Sequence, residues 1–586
     1  MHSLGSRCKT AVILVLLSCT CWVGLVGCSL SAAVQRPYLL DSTFGDPQTF
    51  NYYLSNGNTS SEVILLTLLG LTTLDPETLD WKPELAEKWD VYDDGLRIVF
   101  TMRQGLQWSD GAPLTAEDVE FTFNDIIFNE KIPTSSRDVM RIGESGQLPL
   151  VTLLDERRVE FRLPEPFAPF FQVAVAPLMP KHLLEAALKE TDKAGNPKFL
   201  KTWSLNTPVN QLVGSGPYLL EEYIPNQRIA FKTNPHYWKK GSQGESLPKI
   251  PRIVRQIVAS QDNQLLQFRS GSLDEYELRA SDFQLLKHEE DRSRFTIYNL
   301  GQTLDNSFFC FNLSKGTHPK TGQPVVSPVK SRWFNDVNFR QAVSYAIDRQ
   351  AIVDSVLRGL GAPQTSVISP ASPYYLSPEE GLPVYEYNPE KAKALLIKSG
   401  FRYNAQNRLL DLAGNPVRFT LNTNVGNSDR EATGSLIKSD LDKIGIRVDF
   451  VPIEFSTLVN KFTSTFDWDA VMLSLGGGGT EPNSGANTWR STGQLHMWNH
   501  PAIPNREVTD WEREIDTIFV AGTRELEFEK RKALYDRFQI VVQEQLPLIS
   551  TINPLSLVAL RDRLQGTDPR PILGALWNLD KLVLEP

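Results

Sequence analysis

Apolar and polar positions alternate along this chain in two rhythms, one of period two and one near 3.6. From Tyr38 onward the two take turns. Arg97-Ile98-Val99-Phe100-Thr101-Met102 and Arg228-Ile229-Ala230-Phe231 predict short strands. Thr115-Ala116-Glu117-Asp118 predicts a helix start, because Thr115 can cap and the two acids sit where the helix dipole favours them. Val119, Phe123, Ile126 and Ile127 follow near helical spacing. Asn338 to Asp348 predicts a second helix, with Phe339, Val343, Ala346 and Ile347 as its apolar face. A third opens at Asn388-Pro389-Glu390 and ends at Gly400, and a helix ending at Gly445 feeds a strand from Ile446 to Val451. No unit of 20–50 residues repeats. At 586 residues the chain is too long for one core, so the pattern predicts a mixed α/β protein in two lobes.

The first segment breaks this pattern. Arg7 and Lys9 precede an apolar stretch from Ala11 to Val26, followed by Leu25-Val26-Gly27-Cys28. A basic start, a short apolar core and small residues before a cut describe an export signal over 1–27. The alternative is an ordinary N-terminal membrane anchor. The stretch is short for crossing a bilayer, which needs about 20 apolar residues, and Ser18, Cys19, Thr20 and Cys21 interrupt it. The Leu-Val-Gly-Cys segment resembles the bacterial lipobox, which implies that Cys28 is lipidated and that 28–37 is a tether. Cys310 then remains alone among the cysteines, inside Phe308-Phe309-Cys310-Phe311, and reads as a small buried apolar residue. No disulfide framework is expected.

Charge narrows the partners. The formal net charge is −9, and −11 once Arg7 and Lys9 are set aside. So acidic a surface repels phosphate backbones, and no basic run stands out, so nucleic acid is not expected. Seven His residues form no clustered ligand set, so neither a metal nor another cofactor is expected. An exported hydrolase is disfavoured by the lack of a Gly-x-Ser-x-Gly elbow or a His-Glu-x-x-His helix.

Three blocks carry a resemblance. The first runs from Pro83-Glu84-Leu85-Ala86-Glu87-Lys88-Trp89 through Asp93-Asp94-Gly95, Gly105 and Trp108 to Asp110-Gly111-Ala112-Pro113-Leu114-Thr115-Ala116-Glu117-Asp118-Val119. The second is Gly214-Ser215-Gly216-Pro217-Tyr218 with Asn234-Pro235-His236-Tyr237-Trp238. The third is Phe339-Arg340-Gln341-Ala342 through Ala346-Ile347-Asp348-Arg349, with Asn388-Pro389-Glu390-Lys391-Ala392 after it. Their order and content resemble the family 5 extracellular solute-binding proteins, which serve dipeptide, oligopeptide and nickel importers. Locally the blocks read as scaffold: a turn before a capped helix, and at 214–217 a hinge or tight turn in which glycine would admit positive φ.

The resemblance implies a two-lobed periplasmic-binding-protein fold of type II, in the large peptide-binding class. The first lobe would take 38–302, with an extra subdomain at about 71–205; the second would take 303–545, and 546–586 would return to the first. The implied function is capture of a peptide or peptide-like solute between the lobes and delivery to an ABC permease, with no enzymatic step. The implied form is a monomer anchored on the extracytoplasmic face through Cys28. A nickel chelate, sugar or opine as cargo stays open, as does a sensory lipoprotein on the same scaffold.

In peptide-binding relatives an aspartate four residues before a proline holds the ligand's amine. Here Pro482 matches and that position is Gly478, within Gly476-Gly477-Gly478-Gly479. The glycines leave room for close backbone approach, and Glu481 is the nearby acid that could stand in. Asn422 and Asn424 at the end of one strand, Asn483, Trp489 and Trp498 after the glycines, and Phe50 and Asn51 in a first-lobe loop complete the expected cleft residues.

Overall fold

The computed structural model describes residues 36–55, 57–475 and 480–585. The helix expected at Thr115 forms with a reciprocal cap: the Thr115 hydroxyl accepts the Glu117 N–H, and the Asp118 carboxylate accepts the Thr115 N–H at 2.9 Å. It runs over Ala116–Glu120 and widens into a π-helical turn over Phe121–Ile127, burying Val119, Phe123, Ile126 and Ile127. The second helix is Val337–Ala346, started one turn position early by the Asp336 carboxylate rather than by Asn338. Asn388 caps Pro389–Lys398 by accepting the Lys391 N–H at 2.9 Å, and Gly400 follows at φ 88°.

Four larger sheets organise the chain. Leu39–Phe44, Arg252–Val258, Arg228–Thr233 and Tyr218–Ile224 form one, in that order. A wholly antiparallel sheet of Ala86–Tyr92, Arg97–Met102, Arg158–Arg162 and Leu150–Leu153 lies within the 71–205 segment. Ile552–Arg561 sits between Glu275–Glu277 and Phe295–Gln302, and also pairs with Gly361–Pro363. Arg447–Ile453, Arg418–Asn424, Ala470–Leu475, Asn306–Phe311 and Leu548–Ser550, in that order, form the five-stranded sheet of the other half.

Two short passages connect the halves: one between Gln302 and Asn306, the other through Thr551. Leu548–Ser550 still pairs with Phe308–Cys310, so the chain turns back at Thr551 rather than at residue 546. Both Leu548 and Ile549 are buried in the second half's core, which holds the strand there.

Each half has its own apolar core. One gathers Phe308, Phe309, Phe311, Phe334, Phe339 and Phe419, with the Phe311 and Phe334 rings stacked at 4.6 Å. Cys310 lies fully buried in it as a free thiol whose pKa burial pushes up. The other gathers Phe100, Trp108, Phe123, Phe161 and Phe170. Val139 packs against both.

The Gly214-Ser215-Gly216 segment has a different reason from the one expected. Neither glycine takes positive φ. A Cβ at Gly214 would stand 2.3 Å from the Thr67 carbonyl oxygen, and one at Gly216 2.6 Å from that of Leu66. Backbone presses on backbone here, while the Ser215 hydroxyl accepts the Leu69 N–H at 3.0 Å.

The signal segment, Cys28 and most of the tether lie outside the described residues, as do Gly476, Gly477, Gly478 and Gly479. Among the described residues no helix is long and apolar enough to cross a membrane.

Candidate functional site

Charged side chains gather where the chain passes between the two halves. On the strand Glu275–Glu277, alternation sends Tyr276 into the core, where its ring stacks on Phe268 at 5.6 Å and its hydroxyl donates to Asp282. Glu275 and Glu277 therefore share the opposite face. Glu62, from the helix Asn58–Ile64, and Asp305, in the passage between the halves, lie within electrostatic reach of Glu277. Behind them Arg255 holds Asp41 with contacts of 2.6 to 3.1 Å and stands 3.6 Å from Glu62. From the other half comes Arg430, in the first turn of Ser428–Lys443, whose guanidinium reaches the Asn424 side chain and feels the charge of Asp305.

The electrostatics describe a cleft wall. Glu62 and Glu277 are open to solvent, and Glu275 is half-buried. Protein on both sides of the passage still crowds them and weakens their hydration. Desolvation, and then Asp41, raise the Glu275 carboxyl to about 8, with Arg255 opposing. Desolvation, Asp305 and Glu62 raise Glu277. Desolvation also raises Glu62, against the pull of Arg255. Glu62, Glu275 and Glu277 thus line one side of the passage together with Asp305, whose charge Arg430 feels from the other half. Among the described residues no three acid, His or Cys side chains come together to hold a metal ion. The wall is a diffuse negative field, suited to an organic cation.

The expected cleft residues are scattered. Phe50 is buried edge-on to Tyr223 at 5.4 Å, and Asn51 is fully buried, bonded to the Tyr53 N–H and to Thr202. Asn422 donates to the Val451 carbonyl at 2.9 Å within its own sheet. Trp489 and Trp498 pack on each other at 5.5 Å in the core, and Trp498 donates to Glu512. Asn483 donates across the halves to the Val139 carbonyl at 3.1 Å. Glu481 is engaged by protein: its Oε2 accepts from the Tyr374 hydroxyl at 2.7 Å and lies 3.3 Å from Arg531 Nε. Of the described residues named from sequence, Asn424 alone adjoins the charged wall, through Arg430.

Sequence reasoning passed over Glu275 and Glu277 because Glu-Tyr-Glu reads as an ordinary solvated strand face. Only the pairing of that strand with Ile552–Arg561, almost 300 residues away, places it beside the passage between the halves.

Comparison with known proteins follows the same lines. The profile of the bacterial extracellular solute-binding proteins, family 5 Middle, matches residues 80–496. A probable ABC transporter-binding protein of Deinococcus radiodurans is 29% identical over 557 residues, covering 91% of this chain and 89% of that one. The oligopeptide-binding protein AppA of Bacillus subtilis, solved with a nonapeptide, superposes with a TM-score of 0.77 at 23% identity, covering 94% of this chain and 99% of that one. MelB of Agrobacterium fabrum, a periplasmic binding protein solved with stachyose, gives 0.80 at 19% identity over 94% and 84% of the chains. These structures share the fold.

Proposed function

This chain belongs to the family 5 bacterial extracellular solute-binding proteins, which bind and do not catalyse, and we propose that it captures peptides with a free amino terminus for an ABC importer. The lobes are taken as 36–302 with 552–585, and 306–550, with the cargo between them. The observation that carries the reading is the acid wall of Glu62, Glu275, Glu277 and Asp305. A ligand ammonium needs a countercharge when it leaves water. Gly478 has no side chain to offer, and the charge of Glu481 is already met by Arg531, while its Oε1 lies buried without a hydrogen bond. The wall supplies the countercharge from the first lobe and the interlobe passage instead. The likeness to AppA, solved with a nonapeptide, supports the cargo class.

On this reading Gly476 to Gly479 give the peptide backbone room on the second-lobe side, and Asn424 with Arg430 offers polar contacts to its carbonyls or carboxylate. Export through residues 1–27, lipidation at Cys28 and delivery as a monomer to a membrane permease complete the proposal.

The test is native mass spectrometry of cargo kept through gentle purification, followed by thermal-shift titration with peptide pools. Peptides with free amines are expected to stabilise the protein, and N-acetylated pools to do so much less. A sugar that stabilises it where no peptide does would overturn the cargo assignment.

A further inference from the structure

Away from the interlobe passages, the extra subdomain reaches across and touches the second lobe. The 3-10 helix Ser135–Met140 does most of this. Its Asp138 carboxylate accepts the Gln494 N–H at 3.2 Å, and its Val139 carbonyl accepts from Asn483 at 3.1 Å. Nearby, the Ala168 N–H donates to the Thr523 carbonyl at 2.8 Å, and Arg524 Nε stands 2.5 Å from Glu165 Oε2, off the line of a hydrogen bond. The last pair is half in solvent and contributes little.

The charges at this seam are unbalanced. Arg137 and Arg141 flank Asp138 on the subdomain, and Arg490 faces them from the second lobe, with Asp516 behind it. Arg137 spends Nη1 on the Asn129 and Ile132 carbonyls, and Arg141 spends its own on Gly146. The Nε atoms of Arg137 and Arg490 are buried with no hydrogen-bond partner. Arg141 opposes the charge of Arg490, while Asp138 and Asp516 support it. Glu130 stands only near Arg137.

We infer that Asp138 is the closing contact of the cleft, a first-lobe carboxylate that cancels the repulsion between arginines which closure brings together. Opening would separate Arg490 from Arg137 and Arg141 and return all of them to water, where the repulsion is weak. Closing buries them around one acid. Asp138 thus offsets a repulsion that exists only when the lobes meet, whatever the cargo. The inference rests on the family's two-lobed closure and not on the peptide assignment.

The experiment uses ligand-free full-length protein, so failure of the cargo assignment leaves it intact. Fluorophores on unnatural amino acids at exposed Lys193 and Lys398 report the interlobe distance by single-molecule energy transfer. Asp138→Asn keeps the shape and removes the charge. It is expected to lower the ratio of closed to open molecules about fivefold or more, with the melting temperature recorded as a control for folding. Adding Arg490→Gln removes the repulsion and is expected to restore most of the closed population. The same distribution in all three proteins overturns the inference. So does a loss in Asp138→Asn that Arg490→Gln fails to recover, since that result assigns Asp138 a merely structural hydrogen bond.

Discussion

Tyr374 donates its hydroxyl hydrogen to Glu481 across 2.7 Å, and this bond fixes what Glu481 can offer a ligand. Arg531 Nε donates to the same tyrosine oxygen at 2.6 Å and lies 3.3 Å from the carboxylate. All three are mostly buried. The carboxylate is thus a structural anion, ordering the chain immediately after the glycines.

Glu481→Gln is therefore expected to cost stability rather than affinity. Removing the charge leaves Arg531 short of its partner and should lower unfolding free energy by about 1–3 kcal/mol. Peptide affinity should change less than about threefold, or about 0.6 kcal/mol. Chemical denaturation and calorimetric titration on one preparation separate the two. A tenfold loss of affinity with unchanged stability would return Glu481 to the ligand.

Glu275 makes binding depend on pH. Its carboxyl is raised to about 8, so the cost of holding it ionised is fully felt above that pH and disappears as pH falls toward its ordinary range. The free protein should gain stability on acidification from pH 9 to pH 6 through this group. A cationic ligand favours the ionised form, so its affinity should rise as pH climbs through 8. A peptide trimethylated at its amino terminus removes the ligand's own titration from the measurement. Glu275→Gln is expected to flatten the curve, and a profile that persists in that variant would place the dependence elsewhere.

Glu512 carries the opposite sign. It is buried, and its oxygens accept from His496 at 2.9 Å, from Trp498, from Asn499 and from Thr509. Burial alone would raise its carboxyl; the contact with His496 and the hydrogen bonds from Thr509 more than reverse this, and the pKa is lowered. Its contribution is present above the ordinary glutamate range and is lost as pH falls through the lowered value. Glu512→Gln should destabilise by about 3–5 kcal/mol at pH 7. In melting curves the gap from the parent protein should narrow toward pH 3.

Gly216→Ala tests the close approach to residues 66 and 67. Its Cβ would meet backbone atoms at 2.6 and 2.7 Å, which no side-chain rotation relieves. A loss of about 1–3 kcal/mol is expected, without a change in ligand affinity beyond what partial unfolding explains. A neutral melting temperature would mean that the Leu66–Thr67 segment shifts freely.

Local patterns were the legible part. The Thr115 cap, the Asn388-Pro389 start and the buried face of Phe339, Val343 and Ala346 each follow from a few neighbouring residues. The family blocks added the two-lobed architecture. Side-chain destinations were not legible, because they depend on partners distant in sequence. Asn422 and Asn424 look alike in one strand, yet one bonds within its sheet and the other meets Arg430. Trp498 suits ligand stacking by type, but His496 and Glu512 claim it for the core. Asp138 is one acid between two arginines until Gln494 and Arg490 arrive from more than 350 residues away.

The strand Ile552–Arg561 lies in the middle of its sheet, between Glu275–Glu277 and Phe295–Gln302, yet it is made only after the whole second lobe. A growing or translocating chain has both outer strands long before the one that joins them. The sheet cannot close until nearly the entire polypeptide is present. Completion of the first lobe is thereby deferred to the end of synthesis, and the second lobe, whose strands Asn306–Phe311 and Leu548–Ser550 bring its two ends together, is free to form first.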